Sequence, residues 1–461
     1  MSLVHVEDRK KMRTPRVVNV VRLALRGAAL SRMLVTIGLA LTAGRVVAGE
    51  TPTFTRDIAP ILYRHCVSCH RPGDIAPFSL LTYSDAASHA RAVASATRRR
   101  YMPPWKPEPH YGDFEGVRRL TQSEIDTIQA WAHAGAPRGD ASLRPRPPQF
   151  SDSWHLGKPD LVVRMPQPFT IPAHSHDVYQ CFVLALDLPD DRAVSAIEFR
   201  PGNRKAVHHS IVFVDTRGVG RWKDGGDQEP GYRCFGGPGF QATTTLGGWT
   251  PGTTPVRLPE GVGRVLRRGS DLVIQNHYHA AGREESDQSS IALYFSKVPV
   301  QRTVFGIPIG KPDLVIPAGS QRFRVASSFV TPIAVDVIGI TPHMHLLGAE
   351  VKVWATLPDG SVKPMIWIKR WDFNWQGQYR YKRPLQLPKG TRIDVETFYD
   401  NSPDNPRNPN HPPRTVRWGE STTDEMNVVL VECQSANRWD QLTVLREVVF
   451  QQPAWIGLAA P

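Results

Sequence analysis

The pentapeptide Cys66-Val67-Ser68-Cys69-His70 constrains this chain more than any other five residues. A Cys-x-x-Cys-His spacing is typical of covalent c-type haem attachment: the two thiols form thioethers to the porphyrin, and the histidine binds the iron. A thioredoxin-like redox pair, or half of a zinc site, has the same cysteine spacing. Apolar residues at helical spacing before the motif, from Ile58 to Leu62, predict that it ends a short amphipathic helix.

A second helix is predicted from Thr121 to Ala136, because Thr121 and Glu124 form a capping box and Pro137 follows the periodic pattern. This order of helix, loop and helix resembles a small class I cytochrome c domain. In that family a loop methionine is the second axial ligand, and the matching position is Met102. The alternatives are that Met102 only fills the core, or that His89 or His110 binds the iron and lowers the haem potential.

The first 48 residues predict an export signal. They hold nine Lys or Arg and two acidic residues, then an apolar run from Met33 to Ala43 and a small-residue cleavage site at Val46-Val47-Ala48. An uncleaved anchor is the alternative, although the run is short for a membrane span. The leader carries +7 of the formal charge of +13, so the remaining +6 gives no argument for nucleic-acid binding. We expect a periplasmic or secreted protein without a stable membrane span after signal removal.

Beyond the leader the chain is too long for one core. We predict a cytochrome c domain at 49–140, a proline-rich linker at 141–157, and two β-sandwich domains at 158–300 and 301–461. The β prediction rests on short β-rich runs separated by Gly, Pro and Asp. These runs are Val178–Leu186, Ala206–Val214, Asp271–His279, Ile291–Val298, Ala334–Ile340, Glu350–Leu357, Thr391–Tyr399 and Asn427–Cys433.

Three pairs of histidines stand out in the β region: His208 and His209, His277 and His279, and His343 and His345. Alternate residues of a strand share a face, so a His-x-His pair can bind one metal ion without backbone distortion. An adjacent pair needs a bulge or a strand end to bring both rings to one side. Structural histidines are the alternative for any one pair. Clustered neutral imidazoles suit copper, zinc or iron, and a thioether ligand favours copper.

Several runs, in order, resemble the type II copper, ascorbate-dependent monooxygenases, which include peptidylglycine α-hydroxylating and dopamine β-monooxygenases. The resemblance covers roughly residues 160 to 435. It implies two jelly-roll-like β-sandwiches, so the predicted fold class is a small all-α cytochrome c domain followed by two all-β jelly-roll-like sandwich domains. The matching runs are Asp177–Cys181, Ile197–Pro201, Val207–His209, Gly231–Cys234, Leu258–Gly263, Val273–Tyr278, His343–Gly348 and Gly419–Met426.

The resemblance also implies two copper ions that face each other across an open cleft. The histidine-only, electron-supplying copper falls on His208, His209 and His277, and Gln275 matches a glutamine beside it. The oxygen-binding copper falls on His343, His345 and Met426. No role is implied for His279.

Three positions depart from the peptide-specific enzyme. Thr341 replaces an arginine that holds a substrate carboxylate, Asn427 replaces a cysteine, and Leu430 replaces a substrate-contacting tyrosine. A glycine-extended peptide is therefore not the expected substrate. Outside the haem motif only Cys181, Cys234 and Cys433 remain, so they form at most one disulfide.

Together these features predict an exported copper monooxygenase that hydroxylates a C–H bond of a small organic substrate with O2. A covalently bound haem c supplies electrons from a periplasmic donor, in place of or beside an ascorbate-like reductant. The alternative function is a non-catalytic periplasmic electron-transfer or copper-holding protein that keeps the ligands but has lost the substrate pocket.

Overall fold

The computed structural model describes residues 50–453, apart from 151–152, 174–176, 227–228, 241, 243, 280–281, 420 and 438. The predicted leader at 1–48 lies outside these residues. Within the described ranges, no helix is long and apolar enough to span a bilayer.

Helices are short and lie mainly before residue 135. The α-helices are α1 (Ala59–His65), α2 (Tyr83–Ser88), α3 (Ala90–Arg98), α4 (Gln122–His133), α5 (Val219–Asp224) and α6 (Asp440–Gln451). A π-helical turn, Phe54–Ile58, precedes α1, and 3-10 turns lie at Ala141–Leu143 and Phe373–Trp375. The two predicted helices are confirmed: α1 ends next to Cys66, and Thr121 and Glu124 form the capping box of α4.

Strands make up most of the remainder. They are β1 (Leu161–Arg164), β2 (Phe169–Ile171), β3 (Asp177–Ala185), β4 (Arg192–Arg200), β5 (Val207–Asp215), β6 (Tyr232–Arg233), β7 (Thr244–Trp249), β8 (Val262–Leu266), β9 (Asp271–His279), β10 (Glu285–Asp287), β11 (Ser290–Phe295), β12 (Arg302–Gly310), β13 (Val315–Ile316), β14 (Phe323–Val330), β15 (Val335–His343), β16 (Gly348–Thr356), β17 (Val362–Ile368), β18 (Tyr379–Leu387), β19 (Arg392–Tyr399), β20 (Val416–Arg417) and β21 (Val428–Ser435). Each predicted β-rich run coincides with one of these strands within a few residues.

One eight-stranded sheet runs through both halves of the β region, in the order β1-β11-β4-β8-β12-β21-β15-β18. In the first half it faces the five-stranded sheet β6-β3-β9-β5-β7, and the apolar side chains between them include Phe182, Val212 and Leu293. In the second half it faces β14-β19-β16-β17 across a core that includes Val337 and Val395.

The predicted fold class is wrong. The structure is 36% strand and 16% helix, and no separate all-α cytochrome c domain is found in the described residues. Helices α1 to α4 enclose a small apolar cluster, but the chain from Thr51 onward forms one compact unit. The physical reason is packing: Phe114 bridges to Tyr381 of β18 and joins the apolar core of the second half.

The two β halves are likewise joined, because β12 pairs with β8 in parallel next to the predicted domain boundary between residues 300 and 301. Two separate jelly-roll-like sandwich domains are therefore not what the chain forms.

A disulfide links Cys181 in β3 to Cys234, whereas Cys433 is buried and free. The bridge closes a loop of 53 residues.

We expect the double variant Cys181→Ser/Cys234→Ser to lose about 4 kcal/mol of unfolding free energy, because the unfolded chain gains conformational freedom. Urea denaturation measures this loss. Dithiothreitol is the control: it should destabilise the wild type toward the variant and leave the variant unchanged. A double variant as stable as the oxidised wild type would contradict this assignment.

Candidate metal centres and haem-attachment motif

His208, His209 and His277 are brought together by two neighbouring strands. His209 in β5 pairs directly with His277 in β9, and the register shifts between Val207 and His209. This irregularity is the bulge that an adjacent histidine pair requires, since neighbouring residues of a regular strand point to opposite faces. The ligand nitrogens of the three rings lie within 4.8 Å of one another.

The Nδ1 atoms of this three-histidine cluster converge. Nδ1 of His209 lies 3.2 Å from Nδ1 of His208 and 3.4 Å from Nδ1 of His277. Burial lowers the pKa of His208 to about 3, and it holds the pKa of His209 well below its usual value. At neutral pH the rings of His208 and His209 are therefore uncharged, and each has a nitrogen lone pair to offer a metal ion.

Asp177 and His279 complete the surroundings of this cluster. Nε2 of His277 donates to Oδ1 of Asp177 at 2.8 Å, and Nε2 of His279 lies 3.3 Å from the same oxygen. Burial raises the pKa of Asp177, but its interaction with His277, first of all the hydrogen bond, outweighs burial and lowers the pKa to about 2. A carboxylate on the far nitrogen of a metal-binding imidazole fixes the ring orientation. His279 stacks on His208 with ring centroids 4.3 Å apart.

Sequence reasoning gave neither residue a role. The signal for His279 was its position two residues after His277, on the same face of the strand. Gln275 shares that face as well, and its buried Nε2 donates to the Cys234 carbonyl at 2.6 Å. Gln275 thus links β9 to the residue that carries the disulfide.

His343, His345 and Met426 form a second set. His343 is the last residue of β15, and Met426 lies two residues before the neighbouring strand β21. Nε2 of His343 lies 3.2 Å from Sδ of Met426, and the rings of His343 and His345 are 5.0 Å apart between centroids. Burial lowers the pKa of His343, and burial together with the His343 charge lowers that of His345 to about 3.

Glu425 joins the segments of this second set through hydrogen bonds to their backbone. One of its carboxylate oxygens accepts the backbone N–H of His345 and, at 2.8 Å, that of Met426; the other accepts the N–H of Leu347 at 2.9 Å. Burial raises the pKa of Glu425 to about 8, against the lowering effect of these N–H donors. The sequence signal was its place directly before Met426, which the prediction did not use.

Phe373 fills the space in which an open cleft was expected. Its ring lies 5.7 Å from that of His208 and 5.7 Å from that of His345, between centroids, so the two sets lie within twice that distance of each other. Gln376, three residues further, places its side-chain oxygen 2.6 Å from Nδ1 of His343. The 3-10 turn Phe373–Trp375 thus separates the two sets.

The Cys-x-x-Cys-His motif lies at the end of α1. Cys66 and Cys69 are both free thiols, and burial raises the pKa of Cys66 to about 12. Nδ1 of His70 lies 3.1 Å from the Phe78 carbonyl oxygen, so it donates this hydrogen bond and leaves Nε2 available. A main-chain carbonyl on Nδ1 fixes a metal-binding histidine in this way.

His89, not Met102, is brought to His70. Phe78 contacts the ring of His70 at 4.8 Å and stacks on that of His89 at 4.0 Å, between centroids. Nδ1 of His89 donates to the Asp85 carbonyl at 2.8 Å, which again leaves Nε2 available. Met102 lines a different cavity, beside Trp105 and Trp371, and His110 is exposed.

We expect Glu425→Gln to weaken copper binding by the His343 and Met426 set by roughly tenfold to a hundredfold, because the clamp on two ligand-bearing segments is lost. Competition with a chromophoric copper chelator measures the affinity. Glu432→Gln, a matched change further along the same chain segment, should leave it within about twofold. Equal affinities in both variants would contradict the positioning role of Glu425.

No protein-family model matches the chain, and no curated protein matches it. Among solved structures it is similar to the infectious bursal disease virus VP2 subviral particle, at 8% identity over 61% of this chain and 72% of that chain, with a TM-score of 0.18. It is also similar to Paenibacillus xanthan lyase, at 10% identity over 57% of this chain and 25% of that chain, with a TM-score of 0.15. Scores this low establish no shared fold.

Proposed function

We propose that the chain is an exported copper monooxygenase that inserts one oxygen atom of O2 into a C–H bond of a small organic substrate. The observation that carries the proposal is the pairing of two unlike ligand sets around Phe373, one with three imidazoles and one with two imidazoles and a thioether. The resemblance to the type II copper monooxygenases predicted these two sets, and it stays a proposal.

The donor atoms in both sets suit copper. Neutral imidazoles and the soft thioether of Met426 favour Cu(I) over harder cations, and a thioether is not a usual zinc ligand. Copper bound there supplies one-electron redox chemistry with O2. The second oxygen atom leaves as water, so each turnover needs two electrons and two protons from outside.

Neighbouring residues hold the ligands in position to bind a metal ion. Asp177 orients His277 through its far nitrogen, and Glu425 fixes the backbone of His345 and Met426. Because burial lowers the pKa of His208, His209, His343 and His345, copper does not have to compete with protons at these four rings at neutral pH. The ring of Phe373 contacts a histidine of each set.

We also propose that Cys66 and Cys69 would attach a c-type haem and that His70 and His89 would bind its iron. The free thiols, and the hydrogen bonds that leave Nε2 of both histidines available, fit such a group. Bound haem supplies single electrons, which a periplasmic donor or an ascorbate-like reductant has to replace. The Cys181–Cys234 disulfide is compatible with export.

The haem prediction is tested on the purified protein. The haem should stay on the chain in acidified organic solvent, and the spectrum should be low-spin without a methionine-to-iron band, because two imidazoles bind the iron. His89→Ala should turn the spectrum high-spin. Met102→Ala is the matched control and should leave it unchanged. Haem that extracts, or a spectrum that changes only in Met102→Ala, contradicts the proposal.

The copper prediction compares variants of the two sets. His208→Ala and His277→Ala should each lose the copper of the first set, and His343→Ala and Met426→Ala that of the second, because an incomplete ligand sphere binds copper weakly. Elemental analysis measures the metal content, with the exposed His133→Ala as control. If all four variants lose the same single metal, or if zinc occupies both sets, the assignment is wrong.

Metal content does not separate an enzyme from a copper-holding protein, so activity is tested by isotope labelling in the source organism. Under 18O2, a metabolite that carries one 18O atom should form in wild type and in His133→Ala. It should be absent in a deletion strain and in His343→Ala. Copper-replete protein without any labelled metabolite would favour the non-catalytic electron-transfer or copper-holding function.

A further inference from the structure

A cavity of about 400 Å³ lies next to the second ligand set, between the eight-stranded sheet and the segments that cover it. Gln376, which hydrogen-bonds to His343, and Thr341, two residues before His343, line one part of it. Trp105 and Trp375 supply aromatic surface. Its volume falls within the range of small-molecule sites.

Arg380 lines the same cavity, on the edge strand β18. Its neighbours Tyr379 and Tyr381 are buried in the core of the second half, so strand alternation turns Arg380 to the opposite face of the sheet, toward the cavity. The arginine side chain is half-buried. Burial lowers the pKa of its guanidinium, and the carboxylates of Glu432 and Glu115, which also line the cavity, partly offset that effect.

Within the described residues, the guanidinium of Arg380 has no hydrogen-bond or ion-pair partner. The nearby carboxylate of Glu432 is already paired with Arg264 at 2.5 Å. Removing a guanidinium from water without a partner is costly, so proteins rarely keep such a residue for stability. Its five N–H donors match a planar carboxylate in a bidentate arrangement.

We propose that this cavity binds the substrate, and that the substrate is an aromatic carboxylate whose acid group is held by Arg380. This inference rests on the proposed function for the identity of the reaction, although anion binding itself does not. Arg380 lies on the strand next to β15, where it pairs with Gly339, two residues before Thr341. The apolar part of the ligand then extends along the aromatic lining toward Gln376.

The test measures phenylacetate binding to the full-length protein by calorimetry, both copper-loaded and after copper removal. We expect binding in both forms, weakened roughly tenfold or more in Arg380→Gln because a charge-assisted hydrogen bond is lost. Arg380→Lys should recover part of the affinity. Arg383→Gln, a matched change at an exposed arginine of the same strand, should alter it less than about twofold.

Two further ligands distinguish a carboxylate site from a purely aromatic site and from an inorganic anion site. Neutral phenylacetamide should bind weakly and equally to wild type and Arg380→Gln. Inorganic phosphate should bind more weakly than phenylacetate. If phosphate binds as tightly as phenylacetate, and this binding depends on Arg380, the cavity is an inorganic anion site and the proposal is overturned. No phenylacetate binding, or equal binding in wild type and Arg380→Gln, would overturn it too.

Thermal unfolding distinguishes a structural role. Without ligand, Arg380→Gln should melt at or above the temperature of wild type, since a half-buried charge without a partner is removed. A lower melting temperature with unchanged phenylacetate binding would mark Arg380 as structural and overturn the proposal. If the protein binds no copper but binds phenylacetate through Arg380, the monooxygenase function fails and the anion site stands.

Discussion

The parallel contact between β8 and β12 is the interaction on which the rest of this structure depends. Only two residue pairs form it, Val262 with Arg302 and Gly263 with Thr303, yet it makes one sheet of two halves. A Cβ atom at Gly263 would lie 2.8 Å from a methyl group of Val300, so a larger residue there would force Val300 to shift. Because one ligand set comes from each half, their separation around Phe373 depends on this junction.

In each ligand set a carboxylate side chain holds the ligands in place, but the two carboxylates act on different groups. Asp177 acts on a side chain, through the far nitrogen of His277, whereas Glu425 acts on the main chain, through the N–H groups of His345 and Met426. The hydrogen bond of Asp177 fixes the orientation of an imidazole ring, whereas the hydrogen bonds of Glu425 fix the positions of two ligand residues. A histidine-rich set needs the former because a ring can rotate about χ1 and χ2. A thioether set needs the latter because methionine is flexible in itself.

Much of the local structure was open to prediction from sequence. Runs of β-prone residues between Gly, Pro and Asp located strands such as β9, and the capping box at Thr121 located α4, because both patterns depend on neighbouring residues. Pairings between distant segments leave no such local signal. We therefore did not predict the bridge of Phe114 to Tyr381 or the β8–β12 contact. Without these contacts, the sequence pattern divides the chain into separate domains.

The candidate site was predictable to the same extent. The residue types of the ligands and their spacing indicated His208, His277 and His343. The groups that support them, Asp177 and Glu425, lie near them only through the fold.

The bridge at Phe114 also has a bearing on solubility. Strand β18 is the last of the eight-stranded sheet, and an uncovered last strand is a template for another chain. The backbone groups of Glu115 and Asp113 instead bond to Arg380 and Lys382 of that strand. The segment that follows the first helices thus closes an edge on which copies of the β region would otherwise associate. A fragment cut after residue 140 would lose this cover and be prone to aggregate.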